Sequence, residues 1–373
     1  MTDGTAHQPT GPLRGLRVLE LAGLGPAPFS AMHLADLGAD VVRVDRPEGS
    51  IVPVAPRFDL LNRGKRSIAL DLKDPAGLET ALRLVERADV LVEGYRPGVA
   101  ERLGLGPDAC LARQPRLVYG RMTGWGQDGP RAHTAGHDLT YLAVTGVLDA
   151  IGRADGPPQI PLNLLGDFGG GALYLVTGIL AALWEVQAGG RGQVVDAAIV
   201  DGTAHLATLV AGLRAGGAWR DRRGGNLLDS GAPFYDVYAT ADGGHMAVAA
   251  LEPQFFAVFA QRLGLDEAEA AARFDPREWP RLRAAIAERF ARRTRAEWAE
   301  IFDDGDGCVA PVLSWTEAPA DPQLHARATY VEHDGVVQPA PAPRFSRTPA
   351  ALGLPPAEPG EHSAQVLADW LGD

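Results

Sequence analysis

From Leu16 onward, short apolar runs alternate with helix-length amphipathic ones, and few folds accept that pattern. The runs 16–21 (LRVLEL), 39–45 (ADVVRVD), 67–72 (SIALDL), 89–95 (DVLVEGY) and 116–122 (RLVYGRM) are rich in Val, Ile and Leu and read as strands. Between them lie a helix from about Pro28 to Leu37 and another from Pro75 to Ala88, with Leu78, Leu82 and Val85 at helical spacing. Parallel neighbours need a crossover of helix length, and strands apolar on both sides need cover on both faces. The expectation is an α/β fold whose large, Rossmann-like domain has a mainly parallel sheet between helices.

Further along, helical stretches start near His137, Asp167 and Ile199. The longest apolar stretch, Leu173 to Trp184, is interrupted by Thr177 and Gly178; it is too short to cross a bilayer and reads as a buried helix. A loop rich in Gly, Asn and Asp, Gly224 to Gly231, marks a boundary. Beyond it, 236–240 and 245–250 flank ADGG as a hairpin, and the charged run from Glu278 to Phe302 completes a smaller α+β domain. After Gln338 a proline-rich extended segment leads to a final helix, about Glu361 to Leu371, expected to return to the large domain. The expected bounds are 1–223 for the large domain, 224–335 for the small one and 336–373 for the C-terminal segment.

Charge excludes some partners. Against 47 Asp and Glu stand 35 Lys and Arg, a net charge of −12 that repels nucleic acid and anionic membrane, so neither is expected as a partner. An anionic ligand must find a local basic patch. Cys110 and Cys308 form no CxxC, and the opening MTDGTAHQPT lacks the basic and apolar regions of a signal peptide, which points to the cytoplasm.

The first strand runs into Gly23-Leu24-Gly25-Pro26-Ala27-Pro28. Gly23 and Gly25 suit a tight turn, but Pro28 replaces the third glycine of a dinucleotide fingerprint; it suits N1 of a helix, and NAD binding is not indicated. Basic residues gather near the expected carboxyl ends of the strands, where open α/β sheets bind ligands: Arg43 and Arg46, then Lys73, then Arg96 and Arg102. Such a cluster suits a multiply phosphorylated nucleotide such as coenzyme A, with scattered surface charge as the alternative. His137 and Asp138 in AGHDLTYLAVTGVL, Asp167 in NLLGDFGGGALYLV and Glu252 in LEPQFF are candidate acid–base groups. Plain structural readings also exist: Asp138 and Asp167 as helix N-caps, and Glu252 ahead of a proline at N1. No metal site is expected, because Ala135 and Gly136 between His133 and His137 spoil a helical ligand pair and DDGDG at 303–307 lacks the EF-hand spacing. Neither GxSxG nor Walker A is present.

At GLRVLELAGLGPAPFSAMHLADLGADVVRVDRP, NRGKRSIALDLKDP, VLVEGYRPGVAERLGL and TGWGQDGP the chain resembles the family III CoA-transferase superfamily (CaiB/BaiF-like) over nearly its whole length. Within it, AGHD at 135–138, PLNLLGDFGGG at 161–171 and LEPQF at 251–255 resemble the α-methylacyl-CoA racemase branch. The resemblance implies epimerisation of 2-methylacyl-CoA thioesters, with His137 and Glu252 as one acid/base and Asp167 as the other, on opposite faces of the acyl group. For coenzyme A, carried by the substrate with no further cofactor, it implies contacts at Arg46, Leu70, Asp71, Leu72, Lys73, Gly94, Tyr95, Arg96, Arg102, Gly136, Asp138, Leu139, Thr140 and Tyr141. It also implies an interlocked homodimer in which Glu252 can act in trans. The transferases instead use the aspartate matching Asp167 as a nucleophile. They usually carry an aromatic where His137 stands, and a glycine-rich loop of which GGNLLDSGAP at 224–233 is a weak version.

Chemistry agrees with the racemase branch. A thioester α-proton is weakly acidic, so its removal needs a positioned base and donors for the enolate oxygen, and inversion needs a protonated group on the other face. Asp167 serves if partial burial raises its pKa while Glu252 holds His137. A glycine-rich helix start at Asp167 would also offer backbone N–H groups to the enolate.

Overall fold

Six strands form the sheet: β1 Arg17–Leu21, β2 Asp40–Asp45, β3 Lys65–Ala69, β4 Val90–Glu93, β5 Val118–Thr123 and β6 Gln193–Ala198. All neighbours are parallel, in the order β3-β2-β1-β4-β5-β6, the doubly wound order whose direction reverses between β1 and β4. The structure, a computed structural model, describes residues 10–47, 49 and 52–373; the N-terminal stretch read above for a signal peptide lies, but for Thr10, outside the described residues.

Alternation along each strand feeds two cores. Val18, Val41, Val90, Val92 and Val118 pack with α1 (Pro26–Asp36) and α5 (Leu173–Gln187), while Leu19, Val42, Leu91 and Tyr119 pack with α2 (Pro75–Val85) and Trp370. Two strands depart from expectation for physical reasons. β3 starts at Lys65 rather than 67 because Lys65 and Arg66 are buried through charge pairing, with Lys65 Nζ 2.6 Å from Glu20 and Arg66 2.7 Å from Asp40. Burial pushes Glu20 up and Lys65 down, and their mutual attraction opposes both. β6 was not anticipated; as an edge strand with an exposed first half, it carries no continuous apolar run.

The helix opening after β1 starts at Pro26, so Pro26 occupies N1 and Pro28 lies further into the first turn. The apolar stretch is longer than expected: Leu164–Ala172 is a π-helix continuous with α5, giving 24 helical residues, long and apolar enough to cross a membrane by length and composition. Leu175, Val176, Ile179, Ala182, Leu183 and Val186 on it nevertheless belong to the sheet's core.

The chain folds as two units, the first comprising the described residues up to Thr145, Leu162–Leu206 and His325–Asp373, the second Gly146–Pro161 and Ala207–Leu324. This differs from the expected bounds of 1–223, 224–335 and 336–373. Within the second unit Arg223 donates to the carbonyls of Asp149, Arg153 and Gly156, and Arg153 pairs with Asp236, so Gly146–Pro161 is drawn in by contacts that composition does not reveal. The second unit has a three-stranded antiparallel sheet of β7 (Tyr235–Ala239), β8 (His245–Ala249) and β9 (Val309–Pro311). Phe256, Phe259, Phe290, Trp298 and Phe302 fill its core. The charged run 278–302 is two helices, Trp279–Phe290 and Arg295–Phe302, separated where Thr294 caps the second.

Candidate active site

The pocket lies where the sheet order reverses. Leu24, Gly25 and Pro26 after β1, Gly94 to Pro97 after β4, and Met122 to Trp125 at the end of β5 line it, with Gly136, His137, Tyr141 and Asp167. Its two proton-carrying candidates thus share one cavity in the first unit.

His137 is the N-cap of α4 (Asp138–Val144), in extended backbone at φ −141° and ψ 168°. Thr140 holds it: the His137 amide donates to Thr140 Oγ1 at 3.0 Å, and that hydroxyl donates to the His137 carbonyl at 2.7 Å. The imidazole is left exposed. Asp138 is therefore N1 rather than the cap. Tyr141, one turn on, is buried against two glycines: a Cβ on Gly124 or Gly136 would fall 1.9 or 2.5 Å from its ring. Trp125 stands edge-on to it at 4.8 Å.

Asp167 is half-buried inside the π-helix and not at its cap. The wider π turn, rare and concentrated at functional sites, suits the run Gly169-Gly170-Gly171. Phe168 stacks on Phe29 at 4.5 Å and ties this segment to α1. Gly25, at φ +68°, lets the loop after β1 pass close by; a Cβ there would lie 3.5 Å from Asp167 Oδ2. Burial chiefly raises the Asp167 pKa and the charge of Asp138 adds to it, while a hydrogen bond from Asn163 Nδ2 at 3.3 Å and the nearby His137 oppose this. Asn163 was missed by the sequence reading, although its spacing of four before Asp167 was a usable signal. Of the backbone N–H groups at this glycine-rich start, that of Asp167 is already engaged, donating to Asp138 Oδ1 at 2.6 Å.

Glu252 belongs to the second unit, as the exposed N-cap of helix Pro253–Leu263, which fits its plain structural reading. Arg273 anchors that turn by donating to the Leu251 carbonyl at 2.7 Å, its guanidinium lying over Phe234 and Phe256.

Of the coenzyme A positions, Gly94, Tyr95, Arg96, Gly136 and Tyr141 line the pocket. Arg46, just past β2, is exposed, and its charge reaches Tyr95. Lys73 and Arg102 are exposed, and among the described residues neither they nor Arg46 or Arg96 make an ion pair. Arg43 is not part of this group: it is buried within β2 and paired with Asp45 at 2.7 Å. Leu70 and Leu72 are partly buried against the second core, and Asp71 accepts from the Lys73 amide at 2.9 Å. Asp138 and Thr140 spend their side chains on Asp167 and His137, while Leu139 is exposed.

The profile of CoA-transferase family III matches residues 13–363. The chain is 47% identical to alpha-methylacyl-CoA racemase of Mus musculus over 363 residues, covering 96% of this chain and 93% of the relative. To the Homo sapiens protein of that name it is 45% identical over the same coverage. Its fold is similar to the crystal structure of a CAIB/BAIF family protein from Brucella suis, with a TM-score of 0.81 and 31% identity, covering 97% of this chain and all of the other.

Proposed function

The chain belongs to CoA-transferase family III, and from that premise we propose that it is a racemase of 2-methylacyl-CoA thioesters. One observation carries the reading: His137 and Asp167 line the same pocket, and burial favours the protonated form of Asp167. One group removes the α-proton and the other returns a proton on the opposite face, through an enolate. Glu252 is assigned to hold His137, from the same or another chain. Arg46, Lys73, Arg96 and Arg102, none of which makes an ion pair among the described residues, are assigned to the phosphates of coenzyme A. A homodimer is part of the reading; exposed Leu173 and Trp184, on a helix whose other face is core, supply apolar surface for a partner. The cytoplasm is the proposed compartment, in keeping with two free cysteines.

In D₂O, without an acceptor acid, a 2-methylacyl-CoA should gain α-deuterium and lose optical purity. His137→Ala and Asp167→Ala should each abolish net inversion, since each removes the carrier on one face. Movement of CoA between carboxylates without exchange, with hydroxylamine trapping at Asp167, would replace this reading by that of a transferase.

A further inference from the structure

Asp138 follows His137 in the chain and touches the backbone of Asp167. It is 6% exposed; its Oδ1 accepts the Asp167 amide at 2.6 Å, and among the described residues its buried Oδ2 has no hydrogen-bond partner. Gly166 admits it: a Cβ there would lie 2.3 Å from Oδ1 and 2.9 Å from Cγ. Among the elements packed on the π-helix, the start of α4 brings the charges that act on Asp167, from Asp138 and His137, with Tyr141 beside them.

We infer that Asp138 is a positioning residue for proton transfer: its carboxylate clamps the backbone that carries Asp167 and sets the negative field at that carboxyl. The inference rests on the reading that Asp167 carries a proton. A buried carboxylate that holds the Asp167 amide is a rigid anchor, and one adjacent to His137 keeps the two carriers in register. The like charge disfavours ionisation of Asp167, which keeps it a proton donor.

Two variants separate the clamp from the charge. Asp138→Asn keeps an acceptor oxygen but removes the charge, so the limb of the kcat/KM–pH profile governed by Asp167 should move to lower pH in both directions of epimerisation. Gly166→Ala keeps the charge but displaces the carboxylate; kcat should fall on the order of tenfold to a hundredfold with KM nearly kept. Asn163→Ala, which removes a hydrogen bond to ionised Asp167, should move the same limb to higher pH. If Asp138→Asn does not fold, the parent protein decides: with ¹³C at aspartate Cγ and the signal assigned by its loss in Asp167→Asn, Asp167 should titrate in two coupled steps. An unmoved limb, or a single step in the ordinary carboxylate range, overturns the role of Asp138 while α-exchange persists. Absence of exchange in the parent strikes the racemase reading instead.

Discussion

Arg46 stands exposed just past β2, without an ion pair among the described residues, where a phosphate can reach its guanidinium. Arg46→Ala should weaken coenzyme A about threefold to tenfold at low ionic strength, as titration calorimetry would read. The loss should shrink as salt rises, because screening reduces the attraction in the parent. Unchanged affinity at low salt removes Arg46 from the site. At this scale the sequence was informative where chemistry is local: Asp167 and His137 stand out as acid–base groups near the starts of apolar helices, whereas Asn163, four before Asp167, passed unnoticed. It was silent on the Asp138–Asp167 bond, which spans 29 residues and depends on how two helices meet.

The π-helix that carries Asp167 is seated by close contact with α6 (Ile199–Leu206). A Cβ on Gly202 would fall 1.8 Å from the Gly170 carbonyl and 2.9 Å from the Tyr174 ring, a backbone obstruction that cannot rotate aside. Gly202→Ala should therefore destabilise by roughly 1–3 kcal/mol or more and depress racemisation, read by urea unfolding and by α-exchange. Gly212→Ala is the control, since nothing lies within 4 Å of its added Cβ; there the better helix propensity should leave stability equal or up to about 1 kcal/mol higher. Equal effects of both substitutions would show that the contact does not matter.

The whole molecule joins distant segments. Trp370, three residues from the C-terminus, packs in the second core and donates to Asp40 at 2.8 Å, while Arg66 bridges Asp40 and Asp369. These contacts fasten the last helix to β2 and β3, at residues 330 and 303 positions earlier in the chain. The same unit leaves Trp184 75% exposed and Leu173 44% exposed. If these faces are covered by a second copy, sedimentation equilibrium should give about twice 39.4 kDa, and Trp184→Glu should shift the balance towards monomer through the cost of burying a charge. A parent that sediments as a monomer at micromolar concentration refutes the dimer.

Apolar periodicity alone determined the first five parallel strands and the helices α1 and α2 between them, because burial on both faces writes itself into consecutive residues, while the half-exposed edge strand β6 left no such run. The first-unit helix starts near His137 and Asp167 were legible for the same local reason. Only tertiary structure decided that Lys65 and Arg66 are strand residues, since their burial requires Asp40 from the adjacent β2 and Glu20 from β1 beyond it. Only tertiary structure moved Gly146–Pro161 into the second unit and withdrew Arg43 from the ligand patch. Each of these depends on a pairing between charged or polar groups, whose partner is chosen by three-dimensional proximity and leaves no period in the sequence.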